Sequence, residues 1–141
     1  NLRTLNLSEK KDPVRDLWRN VLIVAIEDVI KKEKRTVGDI TYIFCDDDYL
    51  LERNKEFLDH NTLTDIITFN YCIDNNISSD IMISIDRVKE NSTTFENSFN
   101  EELKRVMIHG ILHLIGYNDK SDKEKELMRE KENFYLNIFY I

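Results

Sequence analysis

The sequence has very few of the residues that interrupt a folded chain. Proline occurs once and glycine three times among 141 residues, so neither a Gly/Ser linker nor a proline-rich linker can be placed. A chain of this length with 41% hydrophobic residues buries one ordinary core. We therefore expect residues 1–141 to form a single domain.

Cysteine and long apolar runs are also scarce. Cys45 and Cys72 both lie in apolar, strand-like stretches, which favours buried thiols in a reducing compartment over a disulfide. No stretch approaches the roughly 20 apolar residues that cross a bilayer, so we expect no membrane association. The chain begins at Asn1 without an initiator methionine or a signal pattern, which indicates a trimmed or partial N-terminus.

Positive charge is in deficit. The chain has 20 Lys and Arg residues against 27 Asp and Glu residues, a net charge of −7. This balance argues against broad, non-specific binding of nucleic acid, which needs a surplus of cations, although a local basic patch stays open. The densest basic run, residues 31–35, ends a predicted helix, where the helix dipole favours cations. We expect that run to be a solvated helix face.

The residues that are present alternate between helical and strand patterns. Apolar spacing and capping residues predict five helices: about 13–34 after an Asp12–Pro13 start, about 46–57, about 86–95, and two helices begun by capping boxes at 98–101 and 121–124. β-Branched and aromatic residues predict strands over 40–45, 66–71 and 80–85. The last two strands suit an antiparallel pair. The expected fold class is α/β (α+β), a small mixed sheet of about four strands packed by about five helices.

One segment carries the pattern of a metal site. In residues 109–113 (His-Gly-Ile-Leu-His) two imidazoles lie four residues apart, so on a helix they project from one face and can share an ion. Asp119 would lie about 240° around a continuous helix from His113. Gly116, however, is suited to end the helix in a left-handed conformation and let the chain fold back. His109, His113 and Asp119 are therefore the predicted metal ligands.

This donor set has the chemistry of a hydrolytic centre. Two imidazoles and one carboxylate leave a fourth tetrahedral position for water, the arrangement typical of catalytic zinc. Non-haem iron or another first-row metal is an alternative, and two histidines at this spacing also occur without a metal. A zinc-protease helix carries glutamate beside its first histidine. That position is Gly110 here, which favours a substrate other than a peptide.

The motif resembles that of the YbeY family of bacterial endoribonucleases that mature ribosomal RNA, His-Gly-x-Leu-His-Leu-x-Gly-Tyr-Asp-His. Residues 109–117 match it, residues 64–69 are similar to the family's Thr-Asp-Val-Leu-Ser-Phe strand, and residues 80–84 are similar to its Asp-Ile-x-Ile-Ser strand. The resemblance covers roughly residues 40–135. Two departures stand out: Asp119 replaces the family's third histidine, and Leu58 replaces the family's arginine.

The resemblance implies a mixed α/β fold, a cytoplasmic location, one zinc ion per chain, and hydrolysis of phosphodiester bonds in single-stranded RNA. The implied process is ribosomal RNA maturation at the 16S 3′ end and ribosome assembly, with ribosomal RNA, the small subunit and assembly factors as partners. It also implies that Thr64 and Asp65 lie near the metal and orient the substrate, unless they only cap a turn. Lys104 and Arg105 are candidates for phosphate contacts, with a solvated helix face as the alternative.

Two other functions remain open from the sequence. A non-catalytic ribosome-assembly or RNA-binding factor with a structural metal is favoured by the acidic balance and by Leu58. In that protein the ion would be fully ligated, and its removal would unfold the domain. The other alternative is a different hydrolase that uses the same open zinc site, because a fold does not specify its substrate.

Overall fold

The computed structural model describes residues 2–7, 16–58 and 64–138. In chain order the elements are β1 (Leu2–Asn6), α1 (Asp16–Lys32), β2 (Thr36–Cys45), α2 (Asp47–Leu58), β3 (Ile66–Asn70), β4 (Asn76–Ser84), α3 (Ile85–Thr94), α4 (Phe99–Ile115) and α5 (Asp122–Ile138). None of these helices is both long and apolar enough to span a membrane. The predicted fold class is confirmed, whereas the extent of the domain over all of 1–141 stays a prediction.

The four strands form one mixed sheet in the order β1-β2-β4-β3. Strands β1, β2 and β4 run parallel, and β3 pairs antiparallel with β4, as the sequence predicted. The pairing of Ile66 with Ile83 sets the register of this edge. Residue 65 therefore lies at the end of the sheet where β4 passes into α3, and the Asp65 carbonyl accepts from the Ser84 amide.

Several boundaries differ from the sequence prediction. Strand β1 was not predicted, because its five residues carry no strong local pattern and it is stabilised by pairing with distant β2. Strand β4 starts at Asn76 rather than 80. It ends before Ile85, because the Ser84 hydroxyl accepts from the Arg87 amide at 3.2 Å and caps α3. The predicted Asp12–Pro13 helix start lies outside the described residues.

Helices α1 and α4 pack on one face of the sheet and bury the main core. Gly110 lets α4 approach closely, since a Cβ atom there would lie 2.8 Å from Cδ1 of Ile66. Because side chains alternate along a strand, Ile67 faces the other side, where it packs with Cys45 and Leu50 of the smaller core under α2. Cys45 is buried and Cys72 is half-buried, and both thiols are free. Cys45 is thus buried as predicted, whereas Cys72 is less buried than predicted.

Candidate metal centre

Helix α4 carries the two histidines on one face. Its start is fixed by Ser98, whose hydroxyl accepts from the Glu101 amide at 3.1 Å. One turn of helix separates His109 from His113, and their ring centroids lie 4.5 Å apart with the planes at 82°. Both rings are half-buried, so they are held by the fold while their edges stay open to a ligand.

Gly116 ends α4 and reverses the chain. Its φ of 125° and ψ of 3° lie in a region that L side chains rarely adopt. Its amide donates to the carbonyls of Leu112 and His113 at 3.1 Å, and the Tyr117 amide donates to Leu112 at 3.0 Å. These bonds satisfy carbonyls that a helix end would otherwise leave without partners. The predicted break at Gly116 is confirmed.

The reversal brings Asp119 back to both imidazoles. Its Oδ2 atom lies 3.4 Å from Nε2 of His109 and 3.4 Å from Nε2 of His113. This separation is longer than the 2.7–2.9 Å of a charge-assisted hydrogen bond. It matches the spacing of about 3.3 Å between two ligands of a tetrahedral cation with bonds of about 2.0 Å.

The three side chains therefore fit a divalent metal. One ligand atom from each of His109, His113 and Asp119 lies within 4.8 Å of the others. Two imidazole nitrogens and one carboxylate oxygen are donors that zinc and several first-row metals accept. The arrangement brings together the set that the sequence singled out, and it does not distinguish zinc from its neighbours.

Glu132, which the sequence reasoning missed, contacts His109 from α5. Its Oε2 atom lies 2.6 Å from Nδ1 of His109, and its Oε1 atom accepts from Arg105 at 2.8 Å. A carboxylate at Nδ1 favours the tautomer with its proton there, which leaves the Nε2 lone pair for a metal. One signal was available: Glu132 shares the buried stripe of α5 with Met128 and Tyr135, where a charge is unexpected.

The charge of Glu132 and its two hydrogen-bond donors, His109 and Arg105, stabilise one another. Burial alone would lower the pKa of His109, but the hydrogen bond and charge of Glu132 outweigh it, so the pKa is raised above its ordinary value. Burial would likewise raise the pKa of Glu132, but His109 and Arg105 hold it below its ordinary value. Glu132 is therefore a carboxylate held between two donors.

A cleft of about 170 Å³ opens beside His109. It is lined by Asp65, Glu102, Arg105, Val106, His109, Arg129 and Glu132. Burial raises the pKa of Asp65, and the nearby His109 opposes that shift. Three lining residues are acidic and two are arginines, so the cleft is polar and can contact both donors and acceptors of a ligand.

The four predicted substrate residues lie in different surroundings. Asp65 and Arg105 line the cleft, whereas Lys104 is half-buried on α4 and does not line it. Thr64 donates its hydroxyl to the Ile66 carbonyl at 3.2 Å. The guanidinium of Arg105 donates to Glu132 and, at 2.8 Å, to Asn133. Their roles toward a substrate stay predictions.

Comparisons with known proteins agree on one family. Residues 4–140 match the family described as endoribonuclease YbeY. The endoribonuclease YbeY of Flavobacterium psychrophilum is 53% identical over 116 residues, 82% of this chain and 83% of that relative. The one from Flavobacterium johnsoniae is 54% identical over 113 residues, covering 80% and 81%. A solution structure of a Thermotoga maritima protein aligns with a TM-score of 0.68 at 33% identity, covering 97% of this chain and 87% of that one.

Proposed function

Because the chain belongs to the endoribonuclease YbeY family, we propose that it cleaves single-stranded RNA at a divalent metal held by His109, His113 and Asp119. Membership of this family makes the chain an enzyme, a hydrolase of the nuclease class. The finer proposals are zinc as the metal and maturation of the 16S ribosomal RNA 3′ end as the process. The small ribosomal subunit and its assembly factors are the proposed partners, in the cytoplasm.

The observation that carries this proposal is the single carboxylate oxygen of Asp119, 3.4 Å from both Nε2 atoms. When bound there, a divalent cation makes water acidic and polarises a phosphoryl oxygen. His109 and His113 would hold the cation through their Nε2 atoms, and Asp119 would supply a carboxylate oxygen as the third protein ligand. Glu132 keeps the His109 proton on Nδ1, so that Nε2 remains a ligand.

The residues around the ligands define how the substrate is received. Gly110 faces the sheet and Ile66, so this position lacks the glutamate that a zinc protease carries there. Asp65 lies in the cleft beside His109 and is proposed, with Thr64, to orient the RNA. Arg105 is proposed to contact a phosphate of the RNA at the edge of the cleft, and Lys104 is proposed to contact another part of the RNA backbone.

The proposal is tested by cleavage of a fluorescently labelled single-stranded RNA by protein loaded with zinc. We expect His113→Ala to lose at least about a hundredfold in rate, since one ligand of the ion is gone. Glu126→Gln, an exposed carboxylate on α5, is the matched control and should cleave as the unaltered protein does. Equal cleavage by His113→Ala would remove the metal from the mechanism.

The alternative is a non-catalytic assembly factor whose metal fastens the Tyr117–Asp119 turn. The net charge of −7 and Leu58 at the family's arginine position favour it. Metal removal distinguishes the two functions: a structural ion leaves an unfolded chain behind, whereas a catalytic ion leaves the fold largely intact. We expect the circular dichroism spectrum to persist after chelation, because Glu33 and Arg35 already hold the turn.

A further inference from the structure

The connection between α1 and β2 contacts both sides of the Gly116 bend. Arg35 donates from Nη2 to the Ile115 carbonyl at 3.1 Å, just before the bend. Just after it, the Tyr117 hydroxyl donates to Oε1 of Glu33 at 2.6 Å. The basic run 31–35 was expected to be a solvated helix face, but Glu33 and Arg35 instead join α1 to the end of α4.

Glu33 collects donors on both of its carboxylate oxygens. While Oε1 accepts from Tyr117, Oε2 accepts from the Tyr135 hydroxyl and, at 3.3 Å, from the Lys131 ammonium. The Glu33 side chain is only 10% exposed, and a buried carboxylate is stable only when it is hydrogen-bonded or paired. Burial alone would raise the pKa of Glu33, but these three partners outweigh it and lower the pKa.

The position of Glu33 matters because Asp119 lies only two residues beyond Tyr117. Residues 118–120 belong to neither α4 nor α5, and they lie beyond the hydrogen bond from the Tyr117 amide to the Leu112 carbonyl that closes α4. A loop that is loose before metal binding must be ordered by the metal itself, and that ordering reduces affinity. A hydrogen bond that fixes Tyr117 before the metal binds reduces the conformational entropy that is lost on metal binding.

We propose that Glu33 is a positioning residue of the metal centre, which acts through Tyr117 to hold Asp119 against the two imidazoles. This inference rests on the metal centre proposed above. Tyr117 connects Glu33 to the loop that carries Asp119, because its backbone is part of the bend after Gly116 and its hydroxyl donates to Glu33. Glu33 itself contacts no proposed ligand, so its effect on the metal is indirect.

Two tyrosines provide a matched test, because each donates one hydroxyl to Glu33 but to a different oxygen. Tyr117→Phe removes the hydrogen bond between the bend and Glu33, whereas Tyr135→Phe removes a contact of Glu33 with α5 and keeps the bond to the bend. Zinc dissociation constants are measured by competition with a chromophoric chelator, and the melting temperature is measured on the metal-free proteins. We expect Tyr117→Phe to raise the dissociation constant about tenfold and Tyr135→Phe to leave it within about twofold, while both lower the melting temperature.

A purely structural role would give the two variants equal changes in zinc affinity, and that result would overturn the proposal. Glu33→Ala supplies a second measurement. We expect it to raise the zinc dissociation constant at least as much as Tyr117→Phe does, and an unchanged zinc affinity would also overturn the proposal. The readout separates this inference from the proposed function. If the unaltered protein binds zinc and cleaves RNA but Tyr117→Phe binds zinc normally, only the positioning role fails, whereas absence of zinc binding in the unaltered protein overturns both.

Discussion

Replacing Glu132 by glutamine tests the contact that holds the first histidine. The Glu132 side chain is 7% exposed and lies between two donors, Nδ1 of His109 at 2.6 Å and Nη1 of Arg105 at 2.8 Å. Glutamine keeps the shape but exchanges one accepting oxygen for a donating amide. The amide nitrogen must then face Arg105, which loses its acceptor, or His109, whose Nδ1 can accept from it only in the tautomer that protonates Nε2.

The size of the effect follows from the loss of the carboxylate charge, which both orientations of the amide share. Removing a carboxylate that orients a metal-bound imidazole lowers metal affinity by about 10- to 100-fold, which is roughly 1.4–2.7 kcal/mol of binding free energy. Glu132→Ala would in addition leave the largely buried Arg105 guanidinium without its carboxylate, at a cost of roughly 3 kcal/mol in the free energy of unfolding. Glutamine is therefore the better probe, because it affects the metal more selectively than it affects the fold.

The assay is a zinc titration against a chromophoric chelator at neutral pH, with Asn133→Ala as the control. Asn133 accepts from the same guanidinium at 2.8 Å, whereas the hydrogen bond at Nδ1 of His109 comes from Glu132. We expect Glu132→Gln to weaken zinc binding by at least about tenfold and Asn133→Ala to change it by less than about twofold. An unchanged dissociation constant for Glu132→Gln would refute the orienting role. So would an equal loss for Asn133→Ala.

Two further predictions concern the bend and the buried thiol. Gly116→Ala should lower the free energy of unfolding by roughly 1–2 kcal/mol, as measured by urea denaturation. A φ of 125° strains the backbone of an alanine, although no atom within 4 Å would crowd its Cβ. Unchanged stability would contradict this prediction. Iodoacetamide at pH 8.5 should label Cys72 but not Cys45 in the folded protein, because burial, with help from Asp46, Asp47 and Asp86, raises the Cys45 pKa from 9.0 to about 12. Because burial favours the neutral thiol of Cys45, its contribution to the free energy of unfolding is complete below pH 9 and falls as the pH rises toward 12. Labelling is read by mass spectrometry, and equal labelling of both thiols would contradict the protection of Cys45.

The part of the metal centre that follows local rules could be predicted from the sequence. The spacing of His109 and His113 is one helical turn, and the backbone freedom of Gly116 accounts for the return of Asp119. Both predicted helix starts are capped, since the amides of Glu101 and Glu124 donate to the hydroxyls of Ser98 and Ser121, and at the second start the Ser121 amide also donates back to Glu124. These features depend on neighbours within a few residues, which a sequence pattern records directly.

The supports of the centre could not be predicted, because they come from distant parts of the chain. Glu132 is 23 residues from His109, and Glu33 is 84 residues from Tyr117. In sequence, Glu33 was one acid in a basic run at a helix end, and its burial became visible only once α1 and α4 were packed together. Strand β1 was missed for the same reason, since its parallel pairing joins Leu2 to Ile40.

Metal content is the most direct test of the central claim, that His109, His113 and Asp119 hold one divalent cation. Protein prepared without chelators is dialysed against metal-free buffer, and its transition metals are counted by mass spectrometry. We expect about one equivalent per chain and a large loss of that metal in His113→Ala. A protein that contains no transition metal and takes up none when zinc is supplied would contradict the account.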